Sequence, residues 1–289
     1  MKFSSAVILI FLFIAKSTFA QEPDTVIAKA FYTLHHQQDK AIKDSIYKEN
    51  MVLFIGKDAS LFSSFDKIEQ METVNRYEKE QAKNWTGPGL PMIKRFTGGR
   101  KTTSSDIFQF QKEKKTFTNE FLIINYLYEE PFEEINWDLT SETKSFDQIP
   151  CQKATATFKG RQWTAWFAPD IPFETGPWKL HGLPGLILEA YDADKEVQFL
   201  FAGLESVKPV ESEQADEEVD NSKIITLPKK TVVKITLAES KKLKESMYKD
   251  YKGFINAQIN ANGGVLDTKQ YAGLDVSKIN NPIDLTDNK

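Results

Sequence analysis

Residues 151–204 read CQKATATFKGRQWTAWFAPDIPFETGPWKLHGLPGLILEAYDADKEVQFLFAGL. Residues 151–158 and 161–167 alternate apolar and polar side chains, and Lys159-Gly160 lies between them. That pattern predicts a β-hairpin. Residues 186–191 and 196–204 flank Asp192-Ala193-Asp194-Lys195 and predict a second one. Consecutive hairpins build an antiparallel meander, because parallel neighbours need long crossovers. Between the hairpins, residues 163–189 hold three of the chain's five tryptophans, four prolines and three glycines. Pro169 and Pro172 keep the chain extended and out of a ladder centre. Gly176-Pro177 predicts a bend, and Leu183-Pro184-Gly185 a type II turn. The segment reads as a rigid excursion, either a structural corner packed by Trp166 and Trp178 or the lip of a binding cleft.

Outward from this stretch the reading stays rich in strands. Residues 26–37 alternate, with Ala28, Ala30, Tyr32 and Leu34 on one face. Residues 51–55 form a short apolar strand ended by Gly56, and residues 107–111, 116–128, 135–146 and 230–235 read as further strands. Two stretches break the pattern. Leu61, Phe62, Phe65, Ile68, Met71, Val74 and Tyr77 recur at helical spacing over residues 60–82. A capping box, Thr236-Leu237-Ala238-Glu239, opens a second helix whose face is Leu243, Met247, Tyr251, Phe254, Ile255 and Ile259, ended by Gly263-Gly264. The expected fold is mainly β (α+β): one domain over residues 21–289, a single curved antiparallel sheet or open barrel of about nine to eleven strands, covered by two amphipathic helices. Residues 205–222 are acidic and poor in apolar side chains, and are expected to form a mobile surface loop.

The first 20 residues read as a secretory signal. Lys2 precedes an apolar run, residues 6–15, and Thr18-Phe19-Ala20 offers a cleavage site after Ala20. Gln21 rather than cysteine would follow, so no lipid anchor is expected, and ten apolar residues are too few to span a bilayer. Cleavage removes Lys2 and Lys16 and leaves the chain mildly acidic. That charge argues against nucleic acid as a partner. The expected location is the periplasm.

Candidate chemistry is sparse. The single cysteine, Cys151, has no partner for an internal disulfide. His35 and His36 are strand neighbours, so their side chains point to opposite faces. Cys151 and His181 could ligate or react only if the fold joins them, and zinc wants three or four ligands. Asp170, Glu174 and Glu189 have no spacing that requires pairing. No Gly-x-Ser-x-Gly elbow, P-loop, dinucleotide fingerprint or HExxH occurs. No catalytic residue, metal or cofactor is expected.

Gly182-Leu183-Pro184-Gly185-Leu186-Ile187 is the hexapeptide of the GLPGLI family of exported Bacteroidetes proteins, which this chain resembles. The resemblance extends to Ala165-Trp166-Phe167, Ile171-Pro172, Gly176-Pro177-Trp178-Lys179, Cys151-Gln152-Lys153-Ala154, Gly160-Arg161, residues 53–57 with Ser60, and Asn281-Pro282-Ile283-Asp284-Leu285, where the family more often has Glu at 284. It carries no catalytic residue. It marks Trp166, Pro172, Gly176, Pro177, Trp178, Gly182, Leu183, Pro184, Gly185, Leu186 and Ile187 as the family motif. It also implies a role near TonB-dependent outer-membrane transporters, and the fold looks like that of periplasmic lipoprotein carriers by analogy alone. Three functions fit: a carrier of an apolar ligand such as a lipid or peptide, an accessory subunit of an outer-membrane transporter, or a hydrolase using Cys151 or His181.

Overall fold

The computed structural model describes residues 21–42, 45–87, 99–208, 222–230, 232–261 and 279–286. In chain order the elements are β1 (Asp24–Thr25), β2 (Ala28–His36), β3 (Tyr47–Ile55), β4 (Ala59–Ser64) and α1 (Phe65–Lys83). Then come β5 (Ser105–Phe110), β6 (Lys115–Leu122), β7 (Ile124–Pro131), β8 (Asp138–Phe146), β9 (Ile149–Phe158), β10 (Arg161–Ala168), β11 (Leu186–Asp192) and β12 (Val197–Ser206). The chain continues through β13 (Ile224–Ile225), β14 (Val232–Lys234), α2 (Leu237–Lys249) and α3 (Tyr251–Ala261).

Twelve strands form one curved open sheet in the order β14-β7-β6-β5-β4-β3-β2-β12-β11-β10-β9-β8, and β1 pairs with β13 in a small second sheet. The main sheet thus exceeds the expected nine to eleven strands and does not close. Its pairings are antiparallel except β14 with β7, which is parallel. The two expected hairpins are present. Lys159 and Gly160 both have positive φ, at 51° and 78°, and join β9 to β10. A turn with Lys195 at φ 55° joins β11 to β12.

Three hairpins escaped the sequence reading: β3–β4, whose second strand was expected to be helical, and two more. Residues 116–128, expected as one strand, turn back at Ile123, so β6 pairs with β7. Ile123 has φ 76°, an outlier for a β-branched residue, and no Gly, Asn or Pro marks the turn. Asp147 and Gln148, both at positive φ, close the β8–β9 hairpin.

The sheet buries both faces. On the inner face of the curl, Tyr32, Leu34, Met51, Leu53, Phe62, Ile107, Trp163, Phe167 and Phe199 form the main core. On the outer face, Val52, Phe54, Leu61, Phe108, Phe110 and Phe117 form a second core, covered by Val26, Ile225, Leu227 and the first turn of α1. Alternation along β3 and β5 divides their side chains between the cores.

The helices depart from expectation at their boundaries. Leu61 and Phe62 lie on β4, and Ser64 caps α1 by accepting from the Lys67 N–H at 2.9 Å. The run LFSSF fits either period, and strand pairing decides it. Past its first turn α1 carries little apolar surface inward, and Met71 is exposed. The second expected helix breaks at Asp250 into α2 and α3. Asp250 ends α2, and its carboxylate accepts from the Gly253 N–H at 2.9 Å to start α3. The Thr236–Glu239 capping box is present. Met247, Phe254 and Ile255 pack on Leu122, Ile123 and Tyr126 at the end of β6–β7. Residues 209–221, most of the expected acidic loop, and Gly263-Gly264 lie outside the described residues.

Candidate functional site

The excursion between β10 and β11 is a plug inside the curl. Trp178, Leu180 and Leu183 sit in the inner core with residues from β2, β3, β4 and β5. Its backbone folds into a small hairpin. Thr175 bridges His181, the Gly182 N–H donates to the Glu174 carbonyl (3.1 Å), and the Leu180 N–H to that of Pro177 (3.1 Å). The bend expected at Gly176-Pro177 forms the tip, with Trp178 at φ 57°. The type II turn expected at residues 183–185 is instead a tighter turn centred on Pro184. The Gly185 N–H donates to the Leu183 carbonyl at 2.7 Å, and the Leu186 N–H is drawn to Ile171 at 2.9 Å.

Two glycines let the plug seat closely. A Cβ at Gly185, where φ is 150°, would overlap the Ala168 carbonyl, and one at Gly176 would fall 2.7 Å from the Ile187 Cβ. Gly182, at φ 86°, faces open space. Pro172 and Pro184 are exposed, whereas Pro177 is buried. Leu183, Leu186 and Ile187 are fully buried. Trp166 is buried on β10, its indole N–H unpaired.

Polar contacts fasten the plug to the far strands. Thr175 and Ser60 hydroxyls meet at 3.1 Å. His181 Nδ1 lies 2.9 Å from the Lys179 carbonyl and 3.1 Å from the Gln109 amide nitrogen, and the Trp137 indole donates to the His181 carbonyl (2.8 Å). Lys179 pairs with Glu130 at 2.5 Å, and the Thr118 hydroxyl donates to the same carboxylate. Burial pushes the Glu130 carboxyl up, but Lys179 and Thr118 outweigh it and hold it below the ordinary range. Burial lowers His181, only partly offset by its carbonyl contacts, so the ring is neutral at pH 7.

Beside the plug lies a cavity of about 220 Å³. Its walls combine Leu34, Ile107 and Ile283 with Tyr47, Tyr128 and Trp178, and two ion pairs, Lys179–Glu130 and Lys244–Glu120, line it. The cavity is therefore amphipathic, with its charges paired. A wider depression lies along α1, lined among the described residues by Glu72, Asn75, Arg76, Lys79, Glu80 and Lys83 of that helix.

The C-terminal segment forms one wall. Arg161 holds it with all five N–H groups used. Nε donates to the Ile283 carbonyl (3.0 Å), NH1 to Asp192 (2.6 Å) and Glu196 (3.2 Å), and NH2 to Asn281 (2.6 Å) and the Pro282 carbonyl (2.7 Å). His36 Nε2 donates to the Asn281 carbonyl (2.6 Å), and the Asn281 amide to the Gln37 carbonyl (2.8 Å). Sequence reading missed this node, although Gly160-Arg161 and residues 281–285 both drew notice; a lone Arg before a strand carries no sign of its partners.

The remaining candidates are not assembled. Cys151 is buried on β9, its thiol 3.6 Å from the Ile149 carbonyl. Burial, opposed by Lys144 and aided by Glu189, pushes it up to about 11, so it stays protonated. His181 has other partners. Asp170 and Glu174 are exposed on the plug, while Glu189 pairs with Lys144. Among the described residues no three His, Cys, Asp or Glu side chains cluster to hold a metal. No described helix is long and apolar enough to cross a membrane.

The plug and its flanking strands coincide with a known sequence pattern. A model for proteins of unknown function, Porph_ging, matches residues 157–189, from the end of β9 through the plug into β11. No curated protein matches the chain. In fold it is similar to PNGF-II, solved in space groups P21 and C2. Identity is 12% in both, over 75% of this chain and 32% of PNGF-II, with TM-scores of 0.50 and 0.49. The chain spans about a third of the length of PNGF-II. At that identity the first likeness concerns the fold alone.

Proposed function

We propose that this is an exported, periplasmic, non-enzymatic binding protein of the GLPGLI family. One domain follows the signal peptide, the 169–185 plug is its structural corner, and the cavity beside it is the ligand site. The carrying observation is the cavity, walled by β2, β5, β6 and β7, by Trp178 and Lys179 of the plug, by α2 and by residues 279–284. Its size, below the roughly 300–1,000 Å³ of sites for drug-sized ligands, suits the end of a ligand rather than a whole acyl chain. Its mixed lining shifts the expected ligand from purely apolar to amphipathic: an apolar body with a neutral polar group, as at one end of a peptide. A charged ligand would have to break a buried ion pair.

The test is native mass spectrometry of protein purified from its own envelope, with Ser105→Trp filling the cavity from its wall. A co-purifying small mass present in the wild type and absent from the folded variant is expected. A clean apo mass, together with no chemical-shift change at Tyr47 or Trp178 on adding mixed short peptides, overturns the reading.

A further inference from the structure

Away from that cavity, Lys144 occupies a box of a distinctive kind. Its ammonium lies 4.0 Å from the ring centre of Phe146 and 5.3 Å from that of Trp166, both within the range of a cation–π contact. It also donates to the Glu189 carboxylate at 2.8 Å. Phe201 packs edge-on against Phe146, with ring centres 6.1 Å apart. Cys151, opposite Lys144 across the β8–β9 ladder, is buried there as a neutral thiol.

Two of the walls, Trp166 and Glu189, are held more firmly than the occupant. Trp166 and Glu189 stand on the inner strands β10 and β11, directly paired across the ladder, and Trp166 is buried. Lys144 stands on β8, the last strand of the sheet, where nearly every residue is exposed and the register slips between Leu139 and Thr143. Its side chain is 39% exposed, against 14% for Glu189. Phe146 shares β8 with Lys144, so the firmly held walls are Trp166 and Glu189, and a long flexible side chain from the edge strand lies against them.

We propose that this box is a second binding site, that it recognises a primary alkylammonium such as the lysine side chain of a partner peptide, and that Lys144 is its displaceable internal occupant. The aromatic faces attract any cation. The Glu189 oxygen adds selectivity, because a primary ammonium can donate to it and a quaternary one cannot. A resident ligand lowers apparent affinity by the fraction of time it leaves the box empty, so removing its charge should tighten binding.

The probe is N-acetyl-lysine methylamide added to the full-length exported protein, read by the NMR shift of the Trp166 indole N–H, assigned with Trp166→Phe. Lys144→Met keeps the aliphatic stem and removes the cation; Lys144→Gln replaces it should that variant fail to fold. The Met variant is expected to bind the probe about tenfold more tightly than wild type. Adding Glu189→Gln, or acetylating the probe's side-chain amine, should abolish the shift. Equal affinity in wild type and Lys144→Met overturns the proposal, as does tetramethylammonium binding as well as the primary amine.

Discussion

The Tyr32 hydroxyl donates to the Ile187 carbonyl at 2.7 Å, joining β2 to β11 across the intervening strand β12. This is possible because β11 pairs with β12 only at Ala190 and Tyr191. Toward its start β11 leaves β12 and takes other partners: Ile187 receives Tyr32 on its carbonyl and gives its N–H to Thr175 of the plug at 3.0 Å. The seam where the sheet curls is thus filled by the plug and one tyrosine. Burial raises the Tyr32 hydroxyl well above its ordinary value, so it remains a donor.

Replacing Tyr32 with Phe leaves the buried Ile187 carbonyl without this partner. A loss of about 1–3 kcal/mol is expected, read as a lower urea midpoint with an unchanged slope.

Gly185 and Gly182 should answer differently to alanine. Both have positive φ, but only Gly185 would drive a Cβ into backbone, at Ala168. Gly182→Ala is expected to cost about 1–2 kcal/mol, the ordinary cost of left-handed backbone. Gly185→Ala adds an overlap that only backbone movement relieves, so its thermal midpoint should fall clearly further.

Arg161→Met removes the cation that holds Asp192 and the 281–283 carbonyls. Two buried acceptors and the C-terminal wall lose their partner, for an expected cost of about 3–5 kcal/mol. Limited proteolysis should cut the variant within residues 279–286 before any other site, while the wild type resists there.

The buried Lys179–Glu130 pair should show strong coupling. Lys179→Met or Glu130→Gln alone strands the other group, at about 3–5 kcal/mol each, whereas the double variant should lose less than the sum of the two. A double-mutant cycle by chemical denaturation measures the coupling.

Acid should destabilise the protein in two stages. His36 and His181 are both lowered from 6.5, chiefly by burial. The unfolded chain therefore takes their protons first, so the stability they contribute is complete above about pH 6.5 and is lost as pH falls through the lowered values. Glu130 is lowered from 4.5, so its contribution is complete above that value and disappears further down. The unfolding free energy should fall from pH 7 to 5 at a rate bounded by about 1.4 kcal/mol per pH unit for each histidine, read by chemical denaturation at each pH. His36→Gln with His181→Gln should flatten that first stage.

How much of this was legible beforehand follows the range of each interaction. The Lys159-Gly160 hairpin, the Thr236–Glu239 capping box and the inward face of β2 depend on neighbours a few residues apart, and their residue types announce them. So does the stiffness of the 169–185 excursion, since proline and glycine act on their own backbone. The turn at Ile123 carries no such mark; the hydrophobic contact of Met247, Phe254 and Ile255 with the residues around it favours that reversal. The tight turn at Pro184 replaced a type II turn because the Leu186 N–H found Ile171.

By itself, then, the sequence determined a β-rich chain of hairpins carrying a rigid aromatic insert, because those features rest on local backbone chemistry. Only the tertiary structure decided that the insert fills the inside of the curl, that Arg161 grips residues 281–283, and that Lys144 sits in a box of Phe146, Trp166 and Glu189. Apart from Phe146, which shares β8 with Lys144, those partners are distant along the chain: Glu189 lies 45 residues from Lys144 and Ile283 lies 122 from Arg161. Nothing local selects them; they meet because a twelve-stranded sheet curls far enough to bring its strands around one core.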